Sequence, residues 1–349
     1  MRNKQLLAID LFAGAGGLTQ GLKEAGMTVI GAVENDPIAL ESYQINHPGT
    51  AVWDSDIRSL DPNSIKRALG LRRRQLDLLA GCPPCEGFSR LRTLNGSKTV
   101  VDERNDLIYD FLRFVEALLP KTIMLENVPQ LVKDERFTKF VSRLEELGYK
   151  VEAKVLDVAR YGVAQRRART ILLATRKRSI AWAPPTADVC TVRRAIGHLP
   201  PAGKSGDMLH DCPERRKERT LQLIRSVPKN GGSRRNADSA YLLRCHQNFD
   251  GFSDVYGRMW WDKVSPTITS GCFNPSKGRF LHPEADRAIT LREAALLQSF
   301  PAEYHISLSR GKEKAADIIG NAIPPEFVKR HALGIVDSLR ANRARPNQQ

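Results

Sequence analysis

From residue 5 to about residue 176, short apolar runs alternate with stretches of helical periodicity. No other feature of the chain constrains its fold so tightly. Strands separated by helices are joined by crossovers, and crossovers lay strands parallel with helices on both faces. The pattern predicts strands over 5–12, 28–34, 51–57, 76–80, 122–125, 151–158 and 170–175. It predicts helices over 18–25, 37–46, 64–71, 107–119 and 137–147. The expectation is an α/β domain with a mostly parallel sheet.

Periodicity then fades. Between about 178 and 265 lie two Pro-Pro pairs, a Gly-Gly pair and the basic clusters Arg215-Arg216-Lys217 and Arg234-Arg235. Residues 190–260 hold 13 Lys/Arg against 7 Asp/Glu. Such composition predicts a separate, irregular, basic module. Helical patterning returns at 291–298 and 325–339. The expected division is a domain of 1–177 completed by 305–340, a smaller domain of 178–304, and a frayed tail of 341–349. The formal charge of +15 favours a polyanionic partner, of which nucleic acid is the usual one.

Six scattered cysteines are too few for a disulfide scaffold and fit a reducing cytosol. Asp10 interrupts the apolar N-terminal run, which reads as a first strand and not as a signal peptide. No apolar stretch approaches the ~20 residues of a membrane span. No metal site is expected: there is no second Cys-x-x-Cys, and Cys190, His198, His210 and Cys212 lack tight ligand spacing.

The chemistry collects at strand ends. In Asp10-Leu11-Phe12-Ala13-Gly14-Ala15-Gly16-Gly17 a strand passes through a glycine-rich turn into a helix, so that backbone can approach a ligand closely. Glu34 ends the next strand, 20 residues after Gly14, where an acidic residue commonly takes ribose hydroxyls. No basic residue follows to hold a phosphate, which favours an adenosine ligand without pyrophosphate, such as S-adenosylmethionine. Asp56 closes the third strand, and its carboxylate can take an adenine amino group.

Cys82 and Cys85 lie in Gly81-Cys82-Pro83-Pro84-Cys85-Glu86-Gly87-Phe88-Ser89, just past the fourth strand. They can be a redox pair, zinc ligands, or a single nucleophile at Cys85 with Cys82 as filler. Glu126 ends the following strand. In doubly wound sheets ligands sit outside the carboxyl ends of strands, and Gly14, Glu34, Asp56, Cys85 and Glu126 all fall there. In Gln165-Arg166-Arg167-Ala168-Arg169, strand alternation predicts Arg167 and Arg169 on one face, where they could orient Glu126. A solvated edge strand is the plainer meaning of that run.

Together these segments resemble the DNA (cytosine-5) methyltransferase family. The likeness runs in order through Asp10–Gly17, Glu34, Asp56-Ile57, Pro83-Pro84-Cys85, Glu126-Asn127-Val128, Gln165-x-Arg167-x-Arg169, Arg292–Ala295 with Gln298–Pro301, and Gly320–Pro324. The chain departs from the family pattern at Glu86, where glutamine is usual. It also departs at Arg90-Leu91-Arg92, which lacks an expected glycine, and at Leu296, often arginine.

The resemblance implies a Rossmann-like S-adenosylmethionine-dependent domain and a small target-recognition domain. It implies catalytic roles for Cys85, Glu126, Arg167 and Arg169. It implies cofactor contacts from Phe12, Ala13, Gly14, Ala15, Gly17, Glu34, Asn35, Asp56, Ile57, Pro84, Leu107, Asn321 and Ala322. Ser89, Arg90, Arg92, Arg215, Arg216, Arg234 and Arg235 are the expected DNA contacts. The partner it implies is double-stranded DNA, in a monomeric bacterial cytosolic enzyme beside a cognate restriction endonuclease, or as an orphan methylase. Three rivals remain: a tRNA cytosine-5 methyltransferase of the same build, a DNA-binding subunit without activity, and a thiol oxidoreductase using Cys82 and Cys85.

Overall fold

A computed structural model describes residues 5–84, 106–242 and 254–343. They form two compact units. The first comprises residues up to 161, 168–185 and 323 onward; the second comprises 162–167 and 186–322.

The first unit is built on a seven-stranded sheet. In chain order its elements are β1 Leu7–Leu11, α1 Gly17–Glu24, β2 Thr28–Glu34, α2 Pro37–Asn46, β3 Ala51–Asp54, α3 Pro62–Ala68, β4 Leu78–Gly81, α4 Leu107–Leu118, β5 Thr122–Asn127, α5 Glu135–Glu146, β6 Lys150–Asp157 and β7 Ala168–Thr175. The strand order is β3-β2-β1-β4-β5-β7-β6. The first five strands pair in parallel; β7 runs antiparallel to both β5 and β6. The reason is connection length. Only residues 158–167 join β6 to β7, too few for a crossover, so β7 folds back and enters between β5 and β6.

Central strands β4 and β5 are buried along their whole length, as their unbroken apolar runs require. The edge strands differ. β3 is four residues long, and β6 exposes most of Lys150-Val151-Glu152-Ala153-Lys154-Val155. A short strand and a charged strand are both poor templates for a further strand. The core brings Leu79, Ile123 and Leu125 from the sheet against Phe111, Val115 and Phe140 from α4 and α5. Asp36, Asp61 and Asp134 accept backbone N–H bonds at the starts of α2, α3 and α5.

Several boundaries move from expectation for local reasons. The third strand ends at Asp54, because Asp56 caps a 3-10 turn over Ile57–Ser59. The third helix begins at Pro62, pre-set at the first helical position by its fixed φ.

A last helix, α10 (Pro325–Arg343), completes the first unit against α1. A Cβ on Gly21 of α1 would lie 2.4 Å from the Pro325 carbonyl oxygen, so only glycine permits this approach. Residues 178–185 also belong here. Ser338 Oγ donates to the Arg178 carbonyl, and Ala181 O lies where a Cβ on Gly334 would be. The chain therefore enters the second unit at 186 and not 178, and returns at 323 and not 305.

The second unit is irregular, as its composition indicates. Besides a single turn over Met208–Asp211, its helices among the described residues are α6 (Val192–Ile196), α7 (Glu218–Ser226), α8 (Leu291–Leu297) and α9 (Gly311–Asn321). The pattern reading missed α9. A capping box formed by Thr290 and Glu293 starts α8. Arg258 is wholly buried, and its guanidinium donates to the carbonyls of Ile224, Val227, His282 and Ala285 and to Asp286. No helix among the described residues is long and apolar enough to cross a membrane.

Candidate active site

The turn after β1 is left-handed at Phe12, Gly14 and Gly16, with φ of 61°, 56° and 95°. The two glycines adopt this backbone without strain; Phe12 is held in it by its neighbours. Gly14 N–H donates to Glu34 Oε2 at 2.8 Å, and Ala13 N–H to the Val33 carbonyl. Glu34 Oε1 also accepts from the N–H groups of Asn35 and Asp36. At the far end His47 Nε2 lies 3.3 Å from the Gly16 carbonyl, and Lys23 donates to His47 Nδ1 at 3.1 Å. Desolvation, then the Lys23 charge, lowers the His47 pKa to about 4, so the ring is neutral and donates from Nε2. The turn is thus tied at both ends, and a Cβ at Gly14 would meet nothing within 4 Å.

Beneath the turn lies a group the pattern reading did not assign. Asp10, in β1, is fully buried. Its Oδ2 accepts from Thr19 Oγ1 at 2.7 Å, and Thr19 Oγ1 lies 2.9 Å from Tyr43 Oη. Its Oδ1 has no hydrogen-bond partner in the described structure. Burial, against the Thr19 bond and with the nearby Glu34 charge, pushes its pKa up to about 7. The sequence signal was available: a carboxyl inside Leu7-Ala8-Ile9-Asp10-Leu11 cannot reach solvent.

Of the other expected adenosine contacts, Ile57 and Leu107 are buried, Ala15 and Gly17 are buried in the turn, and Asn35 and Pro84 are exposed. Asp56 is engaged: both of its oxygens receive the Arg58 guanidinium, which holds its pKa low.

At the ends of β4 and β5 a second cluster forms. Glu126 is buried and paired with Arg169, Nε to Oε1 at 2.8 Å. The pair straddles adjacent antiparallel strands, β5 and β7. Cys82 is half-buried. Desolvation first, then the charges of Glu126 and Asp10, hold its thiol well above the usual range. It is therefore a protonated thiol and a poor nucleophile. Asn127 Nδ2 donates to the Pro83 carbonyl at 3.0 Å. Cys85, Ser89, Arg90 and Arg92 lie outside the described residues.

Arg167, Arg216 and Arg234 sit in other surroundings than the pattern predicts. Arg167 precedes β7, which begins at Ala168. Its buried guanidinium instead donates to the carbonyls of Ile268 and Gly320 within the second unit. Arg234 is 3% exposed and is not a surface cation. Arg216 is tied to Glu214 and to the Phe273 carbonyl, leaving Arg215, Lys217 and Arg235 as the exposed members of the two clusters. Asn321 and Ala322 end α9 in the second unit, with Asn321 Nδ2 donating to Asp317 at 3.2 Å. The return to the first unit begins after them, at Ile323.

A family model described as C-5 cytosine-specific DNA methylase matches residues 6–336, nearly the whole chain. The chain belongs to that family. This methylase is 36% identical over 331 residues to the type II methylase M.HgiDII of Herpetosiphon aurantiacus, covering 90% of this chain and 91% of that one. It is 33% identical over 328 residues to the type II methyltransferase M1.HphI of Haemophilus parahaemolyticus, covering 92% and 84%. Among solved structures it is similar to a prophage-encoded E. coli chain described as a DNA modification methyltransferase, with TM-score 0.69, 25% identity, and 96% and 100% coverage. The S. pombe Dnmt2 methyltransferase shares the fold, with TM-score 0.61, 20% identity, and 98% and 100% coverage. The methylase is an enzyme, a DNA (cytosine-5)-methyltransferase, and its family depends on S-adenosylmethionine.

Proposed function

We propose that this enzyme transfers a methyl group from S-adenosylmethionine to C5 of a flipped-out cytosine within a specific double-stranded DNA site. The observation that carries the reading is the buried Glu126–Arg169 pair at the end of β5, beside the strand end that leads to Cys85. In this proposal the cofactor lies over the glycine turn. Glu34 retains acceptor capacity for the ribose hydroxyls, the open side of Gly14 admits the ligand, and the unpartnered Asp10 Oδ1 suits a cationic one. S-adenosylmethionine supplies a methyl group bound to a sulfonium, electrophilic enough to be taken by carbon.

Cytosine C5 is a weak nucleophile until C6 is attacked. The Cys85 thiolate adds to C6, and the electron pair of the C5–C6 bond becomes available at C5. Glu126 binds N3 and the exocyclic amine, which excludes thymine, and Arg169 holds the carboxylate in place. Once C5 has taken the methyl, whose bond to sulfur breaks, a base, water in this reading, takes the C5 proton; the C5–H electron pair re-forms the C5–C6 double bond and the Cys85–C6 bond breaks to release the thiolate. A base inside a duplex is out of reach of such a thiol, so the cytosine leaves the stack, at a cost of a few kcal/mol. Arg215 and Arg235 serve DNA contact, together with Ser89, Arg90 and Arg92. The setting we infer is the bacterial cytosol, beside a cognate endonuclease whose sites the enzyme protects. The blunted sheet edges support a monomer.

Methyl incorporation into DNA and tRNA, with bisulfite sequencing of DNA from cells expressing the chain, tests the reading. Methylated cytosine at one recurring DNA site supports it; incorporation confined to tRNA favours the rival substrate.

A further inference from the structure

The segment between β4 and Cys85 is short of anchors. Pro83 and Pro84 carry no N–H, so two consecutive residues can bond to the scaffold only through their carbonyls. The Cys82 N–H meets the Leu11 carbonyl at 3.3 Å, which ties the segment to β1. A tie to β5 needs a donor aimed at a carbonyl from that strand. Asn127, the last residue of β5 and buried, supplies it: Nδ2 donates to Pro83 O at 3.0 Å. The amide cannot turn around, because its Oδ1 accepts from the Val128 N–H at 2.8 Å. One side chain thus joins the residue two before the nucleophile to the strand that carries Glu126, the next residue back.

We propose that Asn127 is a positioning residue for the methyl-transfer reaction, its amide fixing the Pro83-Pro84 segment on β5 so that the nucleophile's chain and Glu126 share one rigid mount. The inference rests on the reading of Cys85 as nucleophile. Aspartate at 127 keeps the size of asparagine but sets an oxygen against the Pro83 carbonyl, so the contact turns repulsive. Alanine merely lets the carbonyl go. A mounting role therefore ranks the variants in an order opposite to that of a packing role, for which the truncation is worse.

The test compares Asn127→Asp and Asn127→Ala in the full-length enzyme with a duplex carrying 5-fluorocytosine at the target and with S-adenosylmethionine. Measured are the single-turnover rate of covalent trapping, the KM for cofactor, DNA affinity and thermal melting. The expected result is trapping slowed about a hundredfold by Asn127→Asp and less by Asn127→Ala, as for a reacting group displaced by about 1 Å. The KM and DNA affinity stay within twofold of the parent. Trapping within twofold of the parent rate in either folded variant overturns the proposal, as does a greater loss for alanine than for aspartate. Failure of both variants to melt cooperatively also overturns it, since Asn127 is then a folding determinant. Cys85→Ser in the same assay separates the two readings: if that variant still traps, the nucleophile assignment falls whatever Asn127 does.

Discussion

Each unit has its own internal means of cohesion. In the first, a parallel sheet sits against helices, and apolar side chains such as Leu79, Phe111 and Phe140 fill the space between. In the second, the largest buried side chain is an arginine. One apolar cluster gathers Leu223, Ile224, Val227, Tyr256 and Leu281, and Leu291, Ala294, Leu297, Phe300 and Ile319 are buried apolar residues elsewhere in the unit. Guanidinium groups do much of the joining there. Arg258 takes four carbonyls, Arg279 takes those of Gly231, Gly232 and Arg258, and Arg292 takes Tyr304 O while pairing with Asp207. A loop-rich unit has many carbonyls without a ladder or helix partner, and a planar five-donor fork satisfies several at once. Positive charge in this unit is therefore partly architecture and only partly an offer to DNA.

That difference can be broken at either end. The largest expected effect is on catalysis in the first unit. Glu126→Gln should slow single-turnover methyl transfer by about three orders of magnitude, on the scale of a lost transition-state contact. Melting should fall as well, since the substitution leaves the buried Arg169 guanidinium without its counter-charge, so the rate is read on a variant that is still folded. A near-normal rate would reassign the carboxylate.

Next comes the second unit's arginine scaffold. Arg258→Met takes the guanidinium from four carbonyls and leaves Asp286 with Lys229 alone, and should cost that unit about 3–5 kcal/mol. Hydrogen exchange should rise around 224–227 and 282–286, with β1, β4 and β5 unchanged. A uniform rise in both units would show that the division is not energetic. The smallest effect sharpens the contrast between kinds of arginine. Arg215→Ala and Arg235→Ala should each weaken DNA binding severalfold and reduce the salt slope by about one. Arg234→Ala should lower the melting temperature; an equal loss of salt slope there would refute its assignment as interior.

This contrast also explains what the sequence could reveal. The first unit was legible through β5 because burial on both faces leaves unbroken apolar runs, and because glycines and acids mark strand ends. The second half of the sheet was harder. Alternation placed Arg167 beside Arg169 only on the premise that both lie in one strand, and the strand starts between them. Arg234 and Arg216 read as surface charge, since a buried arginine is told from an exposed one by carbonyls and carboxylates that only the fold assembles. Asn127 was visible within its motif, but its partner Pro83 lies 44 residues away and becomes a neighbour only through the pairing of β4 with β5. Asp10 carries its own signal, a carboxyl inside an apolar strand, but its partners Thr19 and Tyr43 come from two later helices that only the fold brings to it.

Peptide mapping of the adduct formed with a 5-fluorocytosine duplex and S-adenosylmethionine bears most directly on the chemistry. The neighbouring thiols make it decisive. Cys82 is kept protonated beside Glu126, so the account places the modified pyrimidine on Cys85 alone. Attachment at Cys82, or no stable adduct at the genuine target site, would contradict it.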